Sequence, residues 1–186
     1  RERRADALAL DGDLKPDLAS LTLSSLNFLQ SASVNAPDVV VGLARIMTER
    51  GIVPELEIFD FGMINVAHVM RAKGQLTAPL VANLFFGNIA GMQATPAEFG
   101  VAIDRLPEPT LWSATGIGDF QFTAQTFAVA SGGGVRVGLE DGIWFDRART
   151  RLATNPALVE RVHTLLQMHE RPLLTPAAMR AYLAGP

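Results

Sequence analysis

Gly134-Val-Arg-Val-Gly-Leu-Glu-Asp141 decides how this chain is read. The stretch has the pattern of a buried parallel strand that closes in two adjacent carboxylates. Alternate residues of a strand share a side, which puts Arg136, Gly138 and Glu140 on one face. An arginine and a glutamate on the inward face of a buried strand cost free energy unless each meets a partner. Asp141 falls at the carboxyl end of the strand, where parallel α/β folds assemble their sites. Two readings stand: a base, a metal-ligand type and a fixed cation gathered for chemistry, or a buried Arg–Glu structural pair.

Outward from this stretch, strand-like segments at 19–24, 55–60, 80–86 and 110–115 precede the fifth at 134–140. All are short and mostly apolar, as strands covered on both faces are. Helical patterns alternate with them. One opens at 35–38 and stops at Gly51, the next covers 62–72, and another covers 120–131 and ends in Gly132-Gly133. Thr95-Pro96-Ala97-Glu98 is a capping box, with Thr95 at the N-cap and Glu98 reaching back to it. Asn155-Pro156 and Thr175-Pro176 repeat the cap-then-proline signal ahead of helices at 158–169 and 176–183.

Strand–helix units repeated with short connections predict a parallel sheet with right-handed crossovers. The repeat spacing suits a (β/α) barrel or a doubly wound sheet. No glycine-rich dinucleotide fingerprint follows the first strand, which favours the barrel. A complete barrel has eight strands and typically about 250 residues. The expectation is therefore an α/β chain forming a single partial TIM-barrel domain over 1–186, the last five βα units of a (β/α)8 barrel. The polar run at 1–13 reads as the tail of a helix that starts earlier.

Bulk properties narrow the function. The chain has 186 residues, 48% of them hydrophobic, enough for one domain with a core. A net charge of −3 with no basic stripe argues against nucleic acid as a partner. The absence of cysteine excludes disulfides and thiolate metal sites. No apolar run approaches the roughly 18 residues of a membrane helix, and no leader pattern is visible, so a cytoplasmic protein is expected. The three histidines (His68, His163, His169) lie in helical patterns with no His-x-His or His-x-x-x-His spacing. This chain alone therefore does not supply a usual zinc site.

The other strand ends add candidates. Thr22 ends the first. Glu55 and Glu57 share one side of the second, and two carboxylates cannot both lie buried and unpaired. At least one should meet a cation such as Arg136, or a polar ligand. Gly116-Ile-Gly118 follows the fourth strand. Its glycines let backbone amides approach an anion, or simply permit a tight βα turn.

Four stretches occur in an order that resembles a known family: Leu18-Ala-Ser-Leu-Thr-Leu-Ser-Ser-Leu-Asn-Phe28, Pro54-Glu-Leu-Glu-Ile-Phe-Asp-Phe-Gly-Met63, Gly91-Met-Gln-Ala-Thr-Pro-Ala-Glu98 and Val135-Arg-Val-Gly-Leu-Glu-Asp141. The chain resembles the β-keto acid cleavage enzymes, the family of 3-keto-5-aminohexanoate cleavage enzyme. The resemblance implies a zinc-dependent (β/α)8 barrel, commonly a homo-oligomer. The implied reaction converts a β-keto acid and acetyl-CoA to acetoacetate and a new acyl-CoA by Claisen and retro-Claisen steps. It implies Glu140 as a Zn2+ ligand, Asp141 as the base and Arg136 as its support, with Glu57 and Thr22 contacting substrate. The Gly116/Gly118 turn is the candidate contact for CoA. Three departures stand out: the family's zinc-binding His-x-His belongs to an earlier strand, Gly134 and Gly142 stand where the family often has His and Asn, and the family's first three strands with their catalytic residues are not in this sequence. The competing expectations are an inactive, assembly-dependent module with unpaired sheet edges, and another metal-dependent barrel aldolase acting on a phosphorylated substrate.

Overall fold

The structure, a computed structural model, describes residues 5–185. Its strands are β1 (Leu18–Thr22), β2 (Leu26–Asn27), β3 (Ala32–Ser33), β4 (Val53–Ile58), β5 (Leu80–Phe86), β6 (Thr110–Gly116) and β7 (Gly134–Val135). The main sheet is parallel throughout, in the order β1-β4-β5-β6-β7, while β2 and β3 form a separate antiparallel hairpin. The helices are α1 (Pro37–Glu49), α2 (Phe61–Ala72), α3 (Pro96–Asp104), α4 (Gln121–Ala130), α5 (Asn155–Met168) and α6 (Pro176–Leu183). The main-sheet order follows the chain without reversal, as strand–helix repeats with crossovers of one hand require. No helix among the described residues is long and apolar enough to cross a membrane.

Strand register divides the sheet into two unlike faces. Leu21, Leu56, Ala82 and Trp112 stand abreast on one face. Leu21, Leu56 and Ala82 are buried with Met47 of α1, Met63 and Ile64 of α2, Phe99 of α3 and Ala124 of α4, and Trp112 packs against the same cluster. Burying each such large apolar side chain contributes about 1.5–3 kcal/mol. On the other face Thr22, Glu57, Asn83 and Ser113 stand abreast. This polar row is viable because its members satisfy one another: Thr22 Oγ1 donates to Glu57 Oε2 at 2.6 Å, and the Ser113 hydroxyl bonds Asn83 Oδ1.

Several expected details differ. The fifth strand is much shorter than 134–140. Its last ladder bond runs from Arg136 N to Ala114 O (3.1 Å), and the chain then turns, with Asp141 N donating to Gly138 O (3.2 Å). The strand need not continue, because two buried amides on α4 take its carbonyls. Gln125 donates to Arg136 O and Gln121 to Gly138 O. Glu140 is therefore in a turn rather than on an inward strand face. Glu98 returns its carboxylate to Gln93 N (2.7 Å) rather than to Thr95. The N-cap of α5 is Thr154, and Asn155 instead uses its carboxamide oxygen to hold Leu139 N (3.0 Å). The helix expected to open at 35–38 does start there, at Pro37 with Ala36 as N-cap, and the Asn35 amide donates to Ser24 O (3.1 Å).

Of the polar opening expected at 1–13, residues 1–4 lie outside the described residues, and Asp6–Ala9 and Gly12–Leu14 form single 3₁₀ turns. At the amino ends of the strands, α6 is tied down by Tyr182 Oη to Leu80 O (3.3 Å) and by Arg180 to Asp17 (3.3 Å).

Candidate active site

The carboxyl ends of the strands surround a cleft of about 330 Å³, lined by Thr22, Glu57, Arg136, Glu140 and Asp141 on its polar side. Leu26, Phe28, Phe59, Phe85 and Ile117 supply its apolar lining. Phe28, on the turn of the β2–β3 hairpin, meets Phe59 edge-on (5.9 Å), and Phe59 stacks on Phe85 (4.2 Å). The hairpin is held over the cleft by Asn88, whose amide donates to Asn27 O (3.0 Å).

Arg136 organises the polar side. Its Nε lies 3.1 Å from Asp141 Oδ2, its Nη2 2.8 Å from Glu140 Oε2, and its Nη1 3.6 Å from Glu57 Oε1. The guanidinium also sits over the Phe85 ring, 4.8 Å from its centroid. Burial alone would lower the Arg136 pKa, but Asp141 chiefly, with Glu140 and Glu57, raises it above the usual arginine value. The cation is therefore permanent.

Asp141 is only 5% exposed. Its Oδ2 accepts from Arg136 Nε and from Thr115 Oγ1 (3.2 Å). Burial pushes its pKa upward, against the opposing pull of Arg136 and Thr115. A carboxylate held on one oxygen and raised by desolvation is suited to accept a proton. Glu140, by contrast, has a side chain 82% exposed at the cleft rim.

Four of the expected residues, Arg136, Asp141, Glu57 and Thr22, thus meet at one cleft, with Glu140 beside them. Gly116 and Gly118 do not line it. A Cβ at Gly116 would collide with the Phe120 carbonyl, and Gly118 has φ +60°. The amides of Ile117 and Gly118 are already engaged, by Phe86 O (2.8 Å) and Asp141 O (2.6 Å). The turn therefore braces the Asp141 loop, and Gly118 faces a neighbouring cleft. Three carboxylates around one arginine leave the cleft anionic, which suits a cation at its mouth. Even so, no group of three His, Asp or Glu side chains among the described residues is placed to hold a metal. Glu140 is at most one ligand of several.

A family model described as beta-keto acid cleavage enzyme matches residues 1–184. The chain belongs to the beta-keto acid cleavage enzyme family. The motif resemblance is borne out. Among curated relatives, the 3-keto-5-aminohexanoate cleavage enzyme of Acetoanaerobium sticklandii is 32% identical over 171 residues, covering 91% of this chain and 62% of the relative. The 3-oxoadipate:acetyl-CoA acetyltransferase of Cupriavidus necator is 36% identical over 176 residues, covering 93% and 62%. Among solved structures, a ternary complex of ObcA with a C4-CoA adduct and oxalate superposes with TM-score 0.75 at 21% identity, covering 97% of this chain and 48% of that one. That likeness speaks for the fold alone. The chain spans 62% of the length of these two curated relatives.

Sequence reasoning missed part of the family member's site. Ser113 and Thr115 were visible as polar residues two apart in one apolar strand, and Asn83 as a single polar residue inside another. Gln121 and Gln125 carried no such signal, since a helical glutamine reads as surface until its burial is known.

Proposed function

We propose that the protein is an acetyl-CoA-dependent β-keto acid cleavage enzyme in which Asp141 is the base. The observation that carries this reading is the buried, Arg136-held Asp141 carboxylate opening onto an aromatic-walled cleft. The reading is supported by the names of the two curated relatives, one a keto acid cleavage enzyme and the other an acetyl-CoA acetyltransferase. The uninterrupted strand order supports an arc of a (β/α)8 barrel, with the polar face turned inward.

In this mechanism Asp141 Oδ1 removes a proton from the carbon between the keto and carboxyl groups of the substrate. Arg136 holds Oδ2 and offsets the charge on the site. The enolate carbon attacks the thioester carbonyl of acetyl-CoA; a C–C bond forms, the C–S bond breaks and thiolate leaves. The thiolate then attacks the original keto carbon, whose bond to the former α-carbon breaks. This yields a new acyl-CoA and the acetoacetate enolate, which recovers the proton from Asp141. Thr22 and Glu57, bonded as a pair, present polar contacts to the substrate head. The Phe28–Phe59–Phe85 wall excludes water from the enolate. A zinc ion bound through Glu140, with its remaining ligands outside the described residues, would supply Lewis-acid stabilisation of that enolate.

The test is to incubate the intact protein with acetyl-CoA and a panel of β-keto acids and to measure acetoacetate. Acetoacetate formed only when both substrates are present is expected. Cleavage without acetyl-CoA, or none across the panel, contradicts the reading.

A further inference from the structure

A second cleft, of about 380 Å³, adjoins the first and is not used by the chemistry above. It is lined by Gly118, Asp119 and residues 121–123, by residues 144–147, and by Arg161 of α5. The two clefts are separated by a single turn: Ile117 lines the first, Gly118 lines the second, and Gly118 N is bonded to Asp141 O.

Arg161 is the unusual group. Its guanidinium lies over Phe122 (4.7 Å) and Phe145 (4.8 Å), and its Nη atoms reach Phe145 O (2.7 Å) and Gln121 Oε1 (3.4 Å). Its Nε is buried with no partner among the described residues. Among those residues neither Arg161 nor Arg147 makes an ion pair. The two acids in the lining are engaged elsewhere. Asp119 pairs with Arg149 (3.0 Å), and Asp146 accepts the amides of Thr150 (3.0 Å) and Arg151 (2.9 Å). A desolvated cation without a counter-charge is costly, and an anionic ligand offsets that cost. Burial pulls the Arg161 pKa below the ordinary arginine value. Phe122 and Trp144 are partly exposed in the same lining, and such faces accept a planar heteroaromatic ring.

We propose that this cleft binds the adenine- and phosphate-bearing tail of the thioester co-substrate, with Arg161 and Arg147 meeting its phosphates and the aromatic walls its base. The pantetheine arm then passes over the Ile117–Gly118 turn and delivers the thioester to Asp141. This inference rests on the acyl-transfer reading only for the identity of the ligand; an organic phosphate bearing a base is the chemistry the cleft itself selects.

The test uses adenosine 3′,5′-bisphosphate, the tail without the thioester, in calorimetry on the intact protein. Saturable binding, weakened at least tenfold in Arg161→Met and in Arg147→Ala, is expected. Arg147 is exposed, so its variant reports on the cleft without risk to the fold. In steady-state assays the preference for acetyl-CoA over acetyl-pantetheine should fall at least tenfold in both variants, with KM for the keto acid unchanged. No binding by the wild type, or equal binding by wild type and variants, overturns the proposal. Arginine-dependent binding in a protein that performs no acetyl transfer would sustain the phosphate cleft while removing the acyl-transfer reading.

Discussion

Asp141 is an acid whose surroundings pull in two directions. Burial raises its pKa, and Arg136 and Thr115 restrain the rise without cancelling it. A folded-state pKa above the unfolded value means that the native protein prefers the protonated form. Stability from this group is therefore full at low pH and is lost as pH climbs through the folded pKa. Asp141→Asn removes that loss. At neutral pH the variant should unfold at an equal or higher denaturant midpoint than the wild type, with the gap closing below the ordinary aspartate range. Turnover should fall by about 10²–10⁴. A variant that both works and melts normally would contradict the base assignment. Arg136 and Glu140 differ in consequence, although they touch. Arg136→Met strands Glu57 and the buried Asp141 without their cation, and should cost up to about 3–5 kcal/mol by chemical denaturation. Glu140→Gln alters a largely exposed pair and should stay within about 1 kcal/mol. Elemental analysis of the same Glu140 variant should show reduced zinc; full zinc content would remove its role as a ligand.

At the scale of elements, the loop from Arg136 to Asp141 is held by groups distant in sequence. Gln125 and Gln121 of α4 hold its carbonyls, Asn155 of α5 holds an amide, and Gly118 holds Asp141 O. Gln121→Leu leaves the Gly138 carbonyl without its donor and should cost about 1–3 kcal/mol. It should lower kcat more than it changes KM for the keto acid, because it displaces the proposed base rather than the keto-acid contacts. An unchanged kcat would show that the loop holds its shape without Gln121. These anchors also explain how far the sequence could be read. The meeting of Arg136 with Glu57 was legible because charges inside apolar strands demand partners, whereas Arg136 beside Asp141 was implied by the family resemblance. The placement of Glu140 was not legible. The strand ends at Val135 because glutamines on the preceding helix and an asparagine on the next satisfy the backbone beyond it, and no local pattern announces that. The β2–β3 hairpin escaped for the opposite reason: each strand has two residues, too few to show a period.

Across the molecule, the two unlike faces of one sheet connect stability to function. The apolar face carries the fold, so Leu56→Ala should cost about 2–5 kcal/mol. The polar face carries the site, and its hydrogen-bonded row tolerates change in proportion to the partners left behind. Among the described residues β1 and β7 each pair on one side only. A polypeptide of these 186 residues alone therefore presents two open edges and should self-associate with rising concentration in light scattering; a monomer at all concentrations would show that the edges are covered some other way. The account as a whole depends on proton removal by a buried carboxylate in the aromatic-walled cleft. It is tested most directly by following exchange of the α-hydrogens of a β-keto acid in D₂O by NMR. Exchange well above the solvent rate is expected with the intact wild-type protein, and only the solvent rate with Asp141→Asn. Wild-type exchange in that variant would contradict it.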